Sequence, residues 1–187
     1  MLLVVAIAFL AYFCGSIPFG KIISGWYDVD IQKRGSGNIG FANVLRILGW
    51  KPAIPVLALD ALKGFIPTYI ACLILGVPTA FVIGMCAILG HLFPVWLKFK
   101  GGKGIATGLG VLLAATPYVG VIAFIVYLFS SVVLRNSSYA SITAGLSVLV
   151  SGLVMYPKYA WAFILLVLIA LWTLRKNLFG KLPNYDI

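Results

Sequence analysis

The sequence predicts an all-helical (all-α) integral membrane protein of about seven transmembrane helices, with cytoplasmic loops and a short interfacial helix. Hydrophobic residues make up 63% of the 187-residue chain, against roughly 45–50% in soluble domains. Mean hydropathy is +1.11. The apolar residues fall into long runs parted by short basic loops. Helices satisfy every backbone hydrogen bond inside lipid, and a span needs about 20 apolar residues. The length fits one helical domain over residues 1–187.

The run 2–24 opens the chain. No basic segment precedes it, so it reads as a retained span and not as a cleaved signal. Trp26 to Arg34 follow, then Gly35 to Arg46, where Ile39, Asn43 and Arg46 fall on one face of a short interfacial or re-entrant helix. The start of that helix, Ser36-Gly37-Asn38, offers a hydroxyl, an amide and free N–H groups to an anion. Runs 52–76 and 78–97 supply the next two spans. Run 105–116 is too short alone, and either borrows from its flanks or stops inside the bundle. Thr116-Pro117 turns the chain after it. Runs 117–134, 139–156 and 158–176 complete the set.

The formal charge is +10, from 14 Lys and Arg against Asp28, Asp30, Asp60 and Asp186. With the chain alternating sides, Lys21, Lys33, Arg34, Arg46, Lys51, Lys98, Lys100, Lys103, Arg135, Arg175, Lys176 and Lys181 share one face, and only Lys158 takes the other. That asymmetry predicts a cytoplasmic C-terminus and an N-terminus outside. No soluble basic domain or aromatic platform suits nucleic acid. Cys14, Cys72 and Cys86 lie in apolar runs without a C-x-x-C pair, as small core hydrophobes and not as metal ligands.

The stretch from Gly90 to Gly104 organises the chemistry. Three lysines, Lys98, Lys100 and Lys103, arrive within six residues, and Gly101, Gly102 and Gly104 surround the last. The glycines predict positive φ and close approach to a ligand. Successive N–H groups ahead of a helix start predict an anion cradle. His91 reads equally as an interfacial histidine bonded to backbone and as a substrate contact. Asp60 and Lys63, one turn apart within a span, read first as a helix-orienting salt bridge. Asp28 and Asp30 could hold a divalent ion, but two acids beside Lys33 and Arg34 are more often a solvated face. Gly35-Ser36-Gly37-Asn38-Ile39-Gly40 fits the dinucleotide pattern, but no strand precedes it. Gly102-Lys103 is no Walker lysine, since Leu97 and Gly104 stand where that motif needs glycine and Ser or Thr.

Three motifs carry a resemblance: Gly35 through Arg46, Asp60-Ala61-Leu62-Lys63-Gly64, and Gly90-His91 through Thr107. Together they resemble the bacterial acyl-phosphate:glycerol-3-phosphate acyltransferases, the PlsY-type family, along essentially the whole chain. The resemblance implies a seven-helix enzyme of the inner membrane, acting in phospholipid biosynthesis. Such an enzyme moves a fatty acyl group from acyl phosphate to the sn-1 hydroxyl of glycerol 3-phosphate, yielding lysophosphatidic acid and phosphate. It implies catalytic roles for Ser36, Arg46, His91 and Lys103, and substrate contacts from Gly37, Asn38, Asn43, Lys100, Gly101, Gly102 and Ser141. Arg175, Lys176 and Asn177 occupy the C-terminal motif, where the family commonly has Arg-His-x-x-Asn-Ile. This departure bears on the glycerol-phosphate site.

Acyl phosphate is an activated mixed anhydride, so no cofactor, metal or covalent nucleophile is required. Five residues after His91 stands Trp96, not the Asp of the His-x-x-x-x-Asp acyltransferases. With no charged base evident beside the only histidine, the substrate phosphate is expected to take the hydroxyl proton. The expected surroundings are membrane lipid, and the working oligomeric state is a monomer. An anion carrier would need its polar residues near the midplane, open to both faces. A non-catalytic homologue draws support only from the altered C-terminal motif.

Overall fold

The computed structural model describes residues 1–179, without the side chains of residues 176, 178 and 179. Its regular structure is helical: α1 (Leu2–Ser16), α2 (Phe19–Gly25), α3 (Phe41–Leu48), α4 (Trp50–Leu75), α5 (Val77–Leu92), α6 (Ile105–Ala115), α7 (Pro117–Leu134), α8 (Ser137–Met155) and α9 (Ala160–Phe179). Six stretches among the described residues are long and apolar enough to cross a membrane. The seventh expected run, α6, has 11 residues and spans about 16 Å, roughly half a hydrocarbon core. It borrows nothing from its flanks. Gly104 precedes it at φ 78°, and Thr116, with φ −143° and ψ 75°, parts it from Pro117 at the head of α7.

The chain forms two compact units, Met1–Ala115 and Thr116–Ile187. In the first, α5 is the most enclosed span: 61% of its most apolar window is buried, against 17% for Leu2–Gly25 and 28% for Trp50–Leu75. Missing side chains let its neighbours in. A Cβ on Gly15 would strike the Ala87 carbonyl, and one on Gly90 the Tyr12 carbonyl, so α1 and α5 touch backbone to backbone. Gly64 against Thr107, and Gly110 against Ala61, join α4 to α6 in the same way. Small residues serve membrane helices here because lipid supplies no hydrophobic force to press helices together, and close packing has to do so. In the second unit α7 packs on α8 and α8 on α9, with Gly152 lying under the Phe163 ring.

The expected first span is one apolar run but two helices. Pro18 has no N–H to continue the ladder, and Ile17 leaves the helix at ψ 118°. Past α2, the connection folds inward: Ile23, Ile31, Ile39 and Val44 bury against Ala53 and Val56 at the start of α4. The short helix α3 exists, yet it begins at Phe41 behind Gly40. The sequence reading therefore set its start too early. Ser36-Gly37-Asn38 is the turn before the helix, and Ile39 lies outside it.

Candidate active site

Asn43 shows how the first motif is built. Its side chain is buried, and its Oδ1 accepts the Ser36 N–H at 3.0 Å. Its Nδ2 donates to the carbonyls of Ile31 (3.2 Å), Arg34 (3.1 Å) and Asn38 (2.9 Å). The amide thus braces the Gly35–Asn38 turn, in which Gly35 and Gly37 carry φ of 53° and 70°. Asn38 Oδ1 accepts the Gly40 N–H at 2.8 Å, tying the turn to the head of α3. Ser36 is half-buried on that turn. Arg46, one turn beyond Asn43, shares its helix face.

The second motif corrects two expectations. Of the three glycines around Lys103, only Gly104 has positive φ; the left-handed residues are Lys98 and Phe99, at 52° and 61°. Gly101 and Gly102 are glycines because of space. A Cβ on Gly101 would strike the His91 carbonyl, and one on Gly102 would occupy the His91 ring at Nε2. Their N–H groups are committed as well, Gly101 to Leu92 O at 3.1 Å and Gly102 to His91 O at 3.0 Å. The cradle of successive N–H groups is therefore a template folded on the end of α5. Lys103, Arg46 and the first turn of α6, whose N–H groups have no intrahelical acceptors, are what the loop offers an anion.

Lys103 is half-buried. Burial, and secondly the Arg46 guanidinium, push its pKa down to about 8. The two motifs thus bring an arginine within electrostatic reach of a lysine 57 positions further along the chain. A further strut joins the motifs: Gln32 Nε2 donates to the Lys100 carbonyl at 3.3 Å, while its Oε1 accepts from Lys21 Nζ at 2.9 Å. The sequence reading missed Gln32, since a lone glutamine in a polar stretch carries no signal. The carboxylate of Asp30 pairs with Lys21 at 3.6 Å and Lys33 at 3.8 Å, exposed contacts of small worth. The Lys100 side chain is exposed.

Behind the loop, Asp60 and Lys63 form the expected pair, Nζ to Oδ1 at 2.7 Å, with side chains 1% and 2% exposed. Lys63 Nζ also donates to the Ile17 carbonyl at 2.9 Å, which the break at Pro18 exposes. The same Asp60 oxygen lies 3.6 Å from His91 Nδ1. A carboxylate therefore does stand beside the histidine, contrary to the expectation, because α4 and α5 pack side by side.

The remaining candidates lie in the second unit. On α8, Ser141 Oγ donates to the Ser137 carbonyl at 2.7 Å. On α9, the Arg175 guanidinium folds back over the Trp172 ring, 4.4 Å from its centroid. Asn177 follows on the last described turns, and the Lys176 side chain lies outside the described residues.

The class that this fold and site define is a helical integral membrane protein whose two cation-bearing loops meet at the end of an enclosed helix. The sequence profile of glycerol-3-phosphate acyltransferase matches residues 5–182. The chain is 44% identical over 178 residues to the glycerol-3-phosphate acyltransferase of Myxococcus xanthus, covering 92% of this chain and 93% of that one. Identity to the Agrobacterium fabrum protein of the same name is 43%, covering 91% and 84%. The chain belongs to the glycerol-3-phosphate acyltransferase family. The crystal structure of PlsY, an integral membrane glycerol 3-phosphate acyltransferase in its glycerol 3-phosphate form, matches with a TM-score of 0.89 at 38% identity, covering 94% of this chain and 90% of that one.

Proposed function

We propose that this protein is the acyl-phosphate-dependent enzyme of its family, acylating the sn-1 hydroxyl of glycerol 3-phosphate to give lysophosphatidic acid and phosphate. The observation that carries this reading is the joining of the two motifs by the Gln32–Lys100 hydrogen bond, with Arg46 near enough to Lys103 to add to the lowering of its pKa, to about 8, that burial chiefly causes. A lysine and an arginine bind phosphate oxygens through charge-assisted hydrogen bonds, the arginine in two-pronged fashion. The substrate hydroxyl attacks the acyl carbonyl, the bond to the phosphate oxygen breaks, and the departing phosphate takes the hydroxyl proton. Cations at the developing oxyanion are worth about 3–4 kcal/mol each. Alignment of the two substrates lowers the barrier by up to about 7–11 kcal/mol.

In this reading Lys103 and Arg46 bind the phosphate groups, the Ser36 turn and Gly101-Gly102 shape the pocket, and Lys100 attracts anions at its rim. The basic loops face the cytoplasm of the inner membrane, with the N-terminus outside and the C-terminus cytoplasmic, as the lysine and arginine asymmetry supports. Opposite termini need an odd number of crossings, so in this reading the short α6 counts as the seventh beside the six longer spans. Purified protein in lipid, given acyl phosphate and glycerol 3-phosphate, should release phosphate and form the sn-1 product stereospecifically. A folded preparation without turnover on this pair would defeat the proposal.

A further inference from the structure

We infer that Asp60 and Lys63 are a positioning pair that acts through His91, holding the ring in the tautomer with hydrogen on Nδ1. The inference deepens the acyltransfer reading and rests on it for its kinetic arm. Four contacts run in series from the first span to the glycine loop. The Ile17 carbonyl accepts from Lys63 Nζ at 2.9 Å, and Lys63 pairs with Asp60 Oδ1 at 2.7 Å. That oxygen faces His91 Nδ1 at 3.6 Å, just beyond hydrogen-bond distance, and Nδ1 is buried with no other hydrogen-bond partner among the described residues. The opposite nitrogen, Nε2, fills the space left by the missing Gly102 side chain. Every member is buried: Asp60 and Lys63 are 1% and 2% exposed, and His91 is 3%.

A carboxylate is acceptor-only, so the nitrogen facing it is the one that carries hydrogen. Catalytic contacts of this kind often stand long in a ligand-free site and tighten when it fills. Lys63 keeps the carboxylate from being a lone buried charge, which is strongly unfavourable within the membrane. Its second bond is to the Ile17 carbonyl, which lies at the break between α1 and α2 and also accepts the Phe19 N–H at 3.1 Å. Lys63 thereby fixes Asp60 to a point on another helix. With hydrogen on Nδ1, Nε2 turns a lone pair toward Gly102, an acceptor beside a loop whose polar side chains are otherwise cationic. The opposite tautomer would place an N–H there. A salt bridge serving only to hold α4 would be indifferent to the choice.

The protein has one histidine, so histidine-selective 15N labelling yields a single imidazole to observe. In lipid, at a pH where the ring is neutral, the wild type should show a protonated Nδ1 and an unprotonated Nε2. Asp60→Asn/Lys63→Met, which removes both charges together, should lose that preference. A wild-type ring with hydrogen on Nε2 overturns the inference whatever the protein catalyses.

The kinetic arm is a cycle. Asp60→Asn/Lys63→Met should lower kcat about 10- to 100-fold, the usual cost of losing a group that orients a functional one, with thermal stability near wild type and KM little changed. In a His91→Ala background the same pair of changes should cost no further activity. Full additivity with His91→Ala, or activity that follows unfolding temperature across the series, would reduce the pair to a structural bridge. Wild-type protein without turnover would defeat the acyltransfer reading and leave the tautomer measurement standing.

Discussion

At Gly102 the volume of a methyl group is filled by an imidazole, and this decides what the residue is for. Gly102→Ala adds one carbon where His91 Nε2 sits, so ring or loop must shift. A displacement of about 1 Å costs on the order of 100-fold in rate. Turnover should fall by about that factor while the unfolding temperature in detergent stays within a few degrees. Near-normal kcat would show that the loop tolerates the shift. At Lys103, Lys103→Ala should also lower turnover at least about 100-fold. Its pKa near 8 sets a direction for pH as well. The ammonium is present below pH 8 and lost as pH rises through it, so the KM for the phosphate substrates should climb above pH 8. Lys103→Arg, which stays charged, should remove that alkaline rise even where it lowers kcat. A KM flat from pH 7 to 9.5 in the wild type would separate Lys103 from the phosphate.

On the scale of elements, α3 and the turn before it stand or fall together. One side chain, Asn43, links Ile31, Arg34, Ser36 and Asn38, beside the weaker Arg34–Ile31 and Asn38–Ser36 bonds at 3.4 and 3.5 Å. Asn43→Ala leaves those groups to find other partners, at about 2–3 kcal/mol, and should expose the 31–40 segment to limited proteolysis. Asn43→Asp retains the acceptor and loses the three donated bonds, so it should be nearly as damaging. A protease-resistant Asn43→Ala protein would mean that the packing of Ile31, Ile39 and Val44 holds the turn unaided. Arg46 extends from the same helix. Arg46→Lys keeps the charge but not the two-pronged guanidinium contact, and should raise the KM for glycerol 3-phosphate at least about 10-fold. An unchanged KM would place Arg46 among the lipid headgroups.

For the whole molecule, the prediction concerns the donor. Among the described residues there is no nucleotide-binding fold to hold the adenosine of coenzyme A, and the cation-bearing loops suit a compact phosphate. Activity should be strong with acyl phosphate and weak or absent with acyl-CoA. Thiol reagents should have little effect: Cys14, Cys72 and Cys86 sit half-buried in α1, α4 and α5, apart from the loops. Chelators should have none, since fixed cations carry the proposed anion site. Comparable rates with both donors would overturn the assignment, and chelator inhibition reversed by a divalent ion would require a metal-assisted step.

Much of this was legible along the chain, because hydrophobic run length, charge asymmetry and glycine placement are local properties. The run boundaries foretold the spans closely, the Thr116-Pro117 break included. The motif residues Arg46, His91 and Lys103 stood out through their spacing to glycine and to one another. Periodicity also put Asp60 and Lys63 on one helix face, where they do pair. Local reading misplaced the start of α3, since nothing in the sequence tells an asparagine that opens a helix from one that braces the preceding turn. It also assigned conformational freedom to Gly101 and Gly102, whose requirement is space for His91. Tertiary packing alone decided that Asp60 reaches His91, that Gln32 joins Lys100, and that Arg46 lies close enough to lower the pKa of Lys103. Each of these contacts joins segments about 30 or more positions apart, and which side chains meet over such a separation is set by how whole helices pack.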